Sequence, residues 1–367
     1  MSSRTQAFRE PLIVETLAVD DTNDTKLAYT DTGAPSRAGP YTTVFAVHGM
    51  AFNSGTCTGI FEPVQALAKS VNIRFVAVTR RNYKGSSPFT EEELRVMNGG
   101  GSEDEKSAFI VNRGVELLNF IDRFLIEKDI STEAPRKGEP GGIAIIGWSL
   151  GNTVTLSAIA NVKFAAPVVR DRLGPLIHTL IMHECARAVL GHPIDQRTWA
   201  PWHLVDQTIP EDAEMPFFAC WISSYFEHRD LEDRTGDGLE NHVPGFNCPP
   251  TIYNIAAAGR LDIIEGTPAK GDIPYQIFFF PQYQASYNAL FEKEARKLVP
   301  NMKASFICCE HGPAFGPSAR WMVEDHDREH GGGFIEAKLV KGINHFSTWD
   351  DPEVTLKMYQ DCIDRSI

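Results

Sequence analysis

Short continuous apolar runs recur along the chain at 43–47, 74–79, 142–146, 176–182, 304–309 and 333–340. Their length, and the lack of alternation within them, predicts strands of a parallel sheet buried on both faces. Two shorter runs, 12–17 and 26–29, flank the polar stretch 20–24 and read as an opening antiparallel hairpin. Between the second and third parallel strands, Leu117, Leu118, Phe120, Ile121, Phe124 and Leu125 recur at helical spacing, which predicts a helix over 110–126 with one buried face. The glycine-rich stretch 99–105 before it reads as a mobile connection. Strands alternating with helices make an α/β chain with a mostly parallel, doubly wound sheet. Between 190 and 300 the strand rhythm stops. This block is rich in aromatics, among them Trp199, Trp202, Phe217, Phe218, Trp221, Tyr225 and Tyr253. It is expected to be a mainly helical lid inserted into a core formed by 1–189 and 301–367, at the strand ends where a pocket would lie.

The run at 142–146 leads directly into Gly147-Trp148-Ser149-Leu150-Gly151, followed by a small-residue helical pattern at 152–160. A strand, then G-x-S-x-G, then a helix is the pattern of a nucleophile elbow. The serine sits on a sharp turn, and the residues two before and two after it must be small for strand and helix to pack closely. A serine hydroxyl is a poor nucleophile at neutral pH and needs a base. His345, in Gly342-Ile343-Asn344-His345-Phe346 after the last strand, falls in a loop at the same sheet edge. Its alternative role is to cap the helix that begins near Asp351. Attack on a carbonyl generates an oxyanion that paired backbone N–H groups can hold. Position nominates Leu150, directly after the serine, and Met50, directly after His48-Gly49, with His48 itself bracing the loop.

Composition narrows the partners. A net charge of −13 over 367 residues disfavours nucleic acid and anionic membranes. The compact basic cluster Arg80, Arg81 and Lys84 is read as a loop at the sheet end. No apolar run is long enough to span a membrane, and the first ten residues lack the apolar core of a signal peptide, so a cytoplasmic location is expected. Seven scattered cysteines, an odd number without zinc-ligand spacing, fit reduced thiols.

The elbow, His48-Gly49-Met50, the segment 80–87 and Asn344-His345-Phe346 together resemble the α/β-hydrolase-fold serine hydrolases over nearly the whole chain. The extended last motif, 344–353, and the long lid are similar to lid-bearing fungal members. The resemblance implies a Ser-His-acid triad without metal or organic cofactor, and a serine at the elbow sets the chain apart from the dehalogenase and epoxide-hydrolase branches, which use aspartate. It also implies an acid after the strand at 304–309, commonly aspartate, yet Glu310-His311-Gly312 follows and the next aspartate is Asp325. A known variation places the acid one strand earlier, where Glu184 stands; Glu184 is the candidate and Glu310 the alternative. Trp148, Trp199, Trp202, Trp221 and Tyr225 are candidates for the pocket wall.

These readings converge on cleavage of a carboxylic ester or lactone of a hydrophobic small molecule. Acyl transfer with the same residues, or a ligand-binding receptor with weak turnover, are the other expectations. His326-Asp327-Arg328-Glu329-His330 also fits the zinc pattern H-x-x-E-H, but Gly331-Gly332-Gly333 follows at once and no third ligand is evident, so it reads as a solvated helix end and no metal is expected.

Overall fold

The computed structural model describes residues 12–20, 24–37, 39–53, 59–136, 138–192, 208–269, 271–272 and 280–367. Among these, strands β1 (Val14–Ala18), β2 (Lys26–Asp31), β3 (Thr42–Val47), β4 (Ile73–Val78), β5 (Ile143–Trp148), β6 (Ile177–His183), β7 (Lys303–Cys309) and β8 (Ile335–Val340) form one sheet in the order β1-β2-β4-β3-β5-β6-β7-β8. The first two pairings, β1–β2 and β2–β4, are antiparallel, and all others are parallel. Every residue of β3, β4, β5 and β6 is buried, which is why these strands read as unbroken apolar runs.

Alternate residues of each central strand face opposite layers. Phe45, Val47, Ile143 and Ile145 join the core on one side of the sheet, whereas Val44, Ala46, Ala144, Ile146 and Trp148 join the core on the other. The first core is anchored by edge-to-face rings: Tyr29 and Phe45 each meet Phe120 and Phe124 at centroid separations of 5.4–6.3 Å. Such pairs add about 0.5–1.5 kcal/mol each beyond area burial.

The long helix carrying those phenylalanines spans Glu103–Glu127, starting seven residues before the periodic face suggested. Ser102 and Glu105 form a reciprocal capping box, satisfying two backbone donors, so part of the expected mobile stretch is the ordered start of a helix. Periodicity missed this because the first turns are acidic and exposed. The same helix lies nearly backbone to backbone on the helix Asn152–Ala160. A Cβ on Gly114 would come within 2.5 Å of the Ser157 backbone, and the Ser157 hydroxyl donates to the Ile110 carbonyl at 2.5 Å. That contact seats the helix that follows the elbow.

The block between β6 and β7 is mainly helical where it is described, with helices Glu211–Ile222, Thr251–Ala257, Pro281–Phe291 and Lys293–Leu298. It serves both cores. Ala285, Ala289, Leu290 and Phe291 join the Phe45 side, while Phe218, Trp221, Ile222, Phe226, Ile255 and Ile263 join the Trp148 side. No described helix is long and apolar enough to cross a membrane.

Candidate active site

Ser149 follows the last residue of β5 with φ +53°, a left-handed backbone that costs a non-glycine residue about 1–3 kcal/mol. Its glycine neighbours are demanded by space. A Cβ on Gly147 would sit 2.5 Å from Asn152 Oδ1, and one on Gly151 would sit 2.2 Å from the Val47 carbonyl oxygen. Asn152 Nδ2 donates to the Ser149 carbonyl at 2.8 Å and to the His183 carbonyl at 3.4 Å, tying the turn to the end of β6. Gly49 lies against the serine: a side chain there would approach Ser149 Cβ at 2.8 Å and Oγ at 3.3 Å.

Glu184 comes directly after β6 and is also left-handed, with φ +52°. Its N–H donates to the Ile307 carbonyl, its Oε1 accepts the Cys309 N–H at 2.6 Å, and its Oε2 lies 3.0 Å from His345 Nδ1. Gly312 and Gly316 leave room for the carboxylate; a Cβ on Gly312 would come within 2.4 Å of Oε2. Glu184 is fully buried and His345 is 1% exposed. A carboxylate accepting from Nδ1 assigns the proton to that nitrogen and leaves Nε2 with the lone pair, the state a general base requires. The residue before the serine completes the arrangement. Trp148 Nε1 donates to the His345 carbonyl at 3.0 Å, and the two rings are 5.1 Å apart, so the histidine loop is fastened to the residue before Ser149.

Behind this pair lies a buried polar cluster around His183 that sequence reasoning missed. His183 Nδ1 is 2.7 Å from the Tyr359 hydroxyl, and Nε2 is 3.3 Å from Ser347 Oγ and 3.6 Å from Cys309 Sγ. Burial, reinforced by the nearby His345, pulls the His183 pKa down to about 3. His48 is held well below its usual range by burial and the adjacent Arg80; its Nδ1–H donates to the Gly49 carbonyl and its Nε2 accepts the Arg80 N–H.

The other nominated residues fall as follows. Met50 is half-buried on the loop after β3, and Leu150 is buried in the first helical turn, where backbone N–H groups have no intrahelical acceptor. Glu310 accepts the Gly342 N–H at 2.8 Å and sits 3.7 Å from His311, so the geometry brings Glu184 and not Glu310 to His345. Trp148 is 1% exposed. Trp221 donates to the Asn241 carbonyl and lies near Phe315, whose ring meets His345 edge-on at 5.4 Å. The Tyr225 hydroxyl donates to Asp350, and burial beside that carboxylate raises its pKa. Trp199 and Trp202 lie outside the described residues. The cluster of Arg80 and Arg81, read as a loop, is a loop but is buried and paired: Arg80 with Asp272, Arg81 with Glu93 and Glu116. Charge alone could not reveal partners so far away in the chain.

His330 has both ring nitrogens engaged, Nδ1 with the His326 carbonyl and Nε2 with the Tyr287 hydroxyl, and its ring stacks on Phe291 at 4.2 Å. Among the described residues no group of three or more histidine, cysteine or acidic side chains is arranged to hold a metal. A pocket lined by Val47, Arg80, Phe109, Thr153 and Asp272 is not lined by Ser149 or His345.

No family model matches the chain, and no curated protein matches it. Among solved structures it is similar to an epoxide hydrolase from Vigna radiata, at 10% identity over 98% of this chain and 100% of that one, with a TM-score of 0.53. It is likewise similar to a haloalkane dehalogenase from Paraglaciecola agarilytica NO2, at 12% identity over 96% and 92% of the two chains, with a TM-score of 0.53. The chain therefore has the α/β-hydrolase fold, which at these identities is all the likeness conveys.

Proposed function

We propose that this α/β-hydrolase-fold chain is a serine hydrolase that cleaves a carboxylic ester or lactone of a hydrophobic small molecule through an acyl-enzyme. Ser149 Oγ attacks the carbonyl carbon, and His345 Nε2 takes the hydroxyl proton. Glu184 holds the ring in the productive tautomer and stabilises the imidazolium, while the Met50 and Leu150 N–H groups receive the oxyanion. The proton then passes to the leaving oxygen, and water repeats the sequence to release the acid. The observation that carries this reading is the buried Glu184–His345 pair fastened through Trp148 to the serine's own turn. The apolar preference is supported by Phe315, whose ring meets His345 edge-on at 5.4 Å, and by Met50, which follows the glycine lying against Ser149.

The reading is tested with a serine-directed phosphonate and an aryl ester. The phosphonate is expected to label Ser149 stoichiometrically and abolish turnover. Ser149→Ala is expected to fold normally and lose about 10⁴-fold or more in kcat. An unlabelled Ser149, or a variant of undiminished activity, would sink the assignment. A stoichiometric burst without steady turnover would favour a receptor, and product appearing on an added alcohol in place of water would favour an acyltransferase.

A further inference from the structure

The loop that carries Met50 is not held by the core of the fold alone. Along residues 51–53 it pairs with the block between β6 and β7: Phe52 and Ile264 form an antiparallel bridge, the Glu265 N–H donates to the Ala51 carbonyl at 2.8 Å, and the Asn53 N–H donates to the Ile263 carbonyl at 3.1 Å. The Glu265 carboxylate also accepts from Asn53 Nδ2 and from the Lys84 N–H. A second attachment grips the other half of the loop. The Arg80 guanidinium donates to the His48 carbonyl at 3.1 Å and the Gly49 carbonyl at 3.0 Å, and it is itself held by both oxygens of Asp272, at 3.1 and 2.6 Å. The Tyr83 hydroxyl donates to Asp272 at 2.7 Å and accepts the Ala51 N–H at 3.0 Å. Arg80 is 9% exposed, Asp272 4% and Tyr83 1%.

The consequence follows from the peptide plane. In a trans peptide the carbonyl and the N–H point in opposite directions. The Gly49 carbonyl receives hydrogen bonds from Arg80 and from His48 Nδ1, so the Met50 N–H of the same plane is turned away from Arg80, on the residue that follows the glycine lying against Ser149. Ala51, with φ +67°, reverses the chain and gives its own N–H to Tyr83, which leaves that donor out of the hole. The geometry points to Asp272, through Arg80 and Tyr83, as a positioning residue for the oxyanion hole, so that the block between β6 and β7 supplies the aim of a catalytic donor that belongs to the core. The inference rests on the serine-hydrolase reading above.

Three variants test it on the full chain: Tyr83→Phe, which removes one hydroxyl from an otherwise unchanged ring, Asp272→Asn, and Asp272→Ala. Deleting an oxyanion donor costs about 10²–10³-fold in kcat, and misaiming one costs less. Tyr83→Phe and Asp272→Asn are expected to lower kcat about tenfold to a hundredfold with KM changed less than about threefold. A trifluoromethyl ketone, whose adduct with serine carries an oxyanion, is expected to lose affinity in the same proportion as kcat/KM. A ketone without the fluorines, bound as a ground-state ligand, should bind as before. Asp272→Ala should exceed Asp272→Asn on the trifluoromethyl ketone. A purely structural role would move all ligands and the melting temperature together, and that result would overturn the proposal, as would folded Tyr83→Phe protein with kcat within threefold of the parent. Should Asp272 variants fail to fold, Tyr83→Phe alone decides. Stoichiometric phosphonate labelling of the unaltered protein, run first, separates failure of this inference from failure of the hydrolase reading.

Discussion

The turn that carries Ser149 and the loops that carry His345 and Met50 are held by different parts of the chain. The serine's turn is secured by its immediate surroundings: Gly147 pressed against Asn152 and Thr155, Gly151 against the Val47 and His48 carbonyls, Asn152 reaching the end of β6, and a helix seated on the Gly114 contact. The other two loops lean on the block between β6 and β7. Asn344 donates to the Ser223 carbonyl and to Thr251, and Asp350 accepts from Tyr225, Thr251 and Asn254, all across this boundary. The turn of Ser149 is thus held by strands and by the helices packed on them, whereas the loops of His345 and Met50 take further hydrogen bonds from the block between β6 and β7.

Three changes would break or sharpen this contrast. The largest effect is expected at the acid, which stands on the sheet side. Glu184→Gln should keep the fold and lower kcat about 10³–10⁴-fold, because the amide can present the wrong group to Nδ1; Glu310→Gln should stay within about threefold. Steady-state kinetics with one ester compares them directly, and the reverse ranking would move the acid to β7. A smaller effect belongs to the buried neutral histidines of the sheet side. In the unfolded chain His183 would protonate near its ordinary value of 6.5, whereas in the fold it does so only at about 3. Between those values the unfolded state binds the extra proton, so the stability conferred by a neutral His183 is complete above pH 6.5 and is lost as pH falls through that window. The slope is at most about 1.4 kcal/mol per pH unit for this group, with His48 and His178, both also lowered by burial, acting in the same direction. Urea midpoints from pH 7 to 4 measure it, and a flat profile would contradict the buried neutral assignment. The smallest effect is expected at the boundary itself. Asp350→Asn should cost about 1–3 kcal/mol of stability through its disturbed acceptors and lower kcat roughly tenfold by loosening the base's loop. Unchanged kcat in a folded Asp350→Asn protein would mean that the block does not orient His345.

Much of the sheet is legible in the chain because a strand buried on both faces must be apolar throughout, and β3, β4, β5 and β6 meet that demand. The elbow is legible for a steric reason: the contacts at Gly147 and Gly151 are with residues fixed by the same strand–turn–helix unit and its adjoining strand. The Glu184 position could be nominated because the resemblance to serine hydrolases admits an acid one strand earlier, and pattern reveals only that Glu184 stands at that strand's end. The start of the helix Glu103–Glu127 was obscured by its acidic exposed turn, although Ser102-x-x-Glu105 is a readable capping signal. Arg80 and Asp272 could not be paired from the chain, since nothing local distinguishes a buried arginine with a distant carboxylate from a solvated one.

What the sequence by itself determined is therefore whatever depends on neighbours within one supersecondary unit: strand burial and the tight glycine-flanked turn at Ser149. The tertiary structure alone decided which carboxylate reaches Nδ1, which ring nitrogens are already engaged in the His326–His330 segment, and which side chain grips the Gly49 carbonyl. The physical reason is range. Steric exclusion and hydrophobic periodicity act between adjacent residues and leave a pattern in the sequence, whereas a buried ion pair such as Arg80–Asp272 is made across 192 positions and exists only once the fold has removed both groups from water.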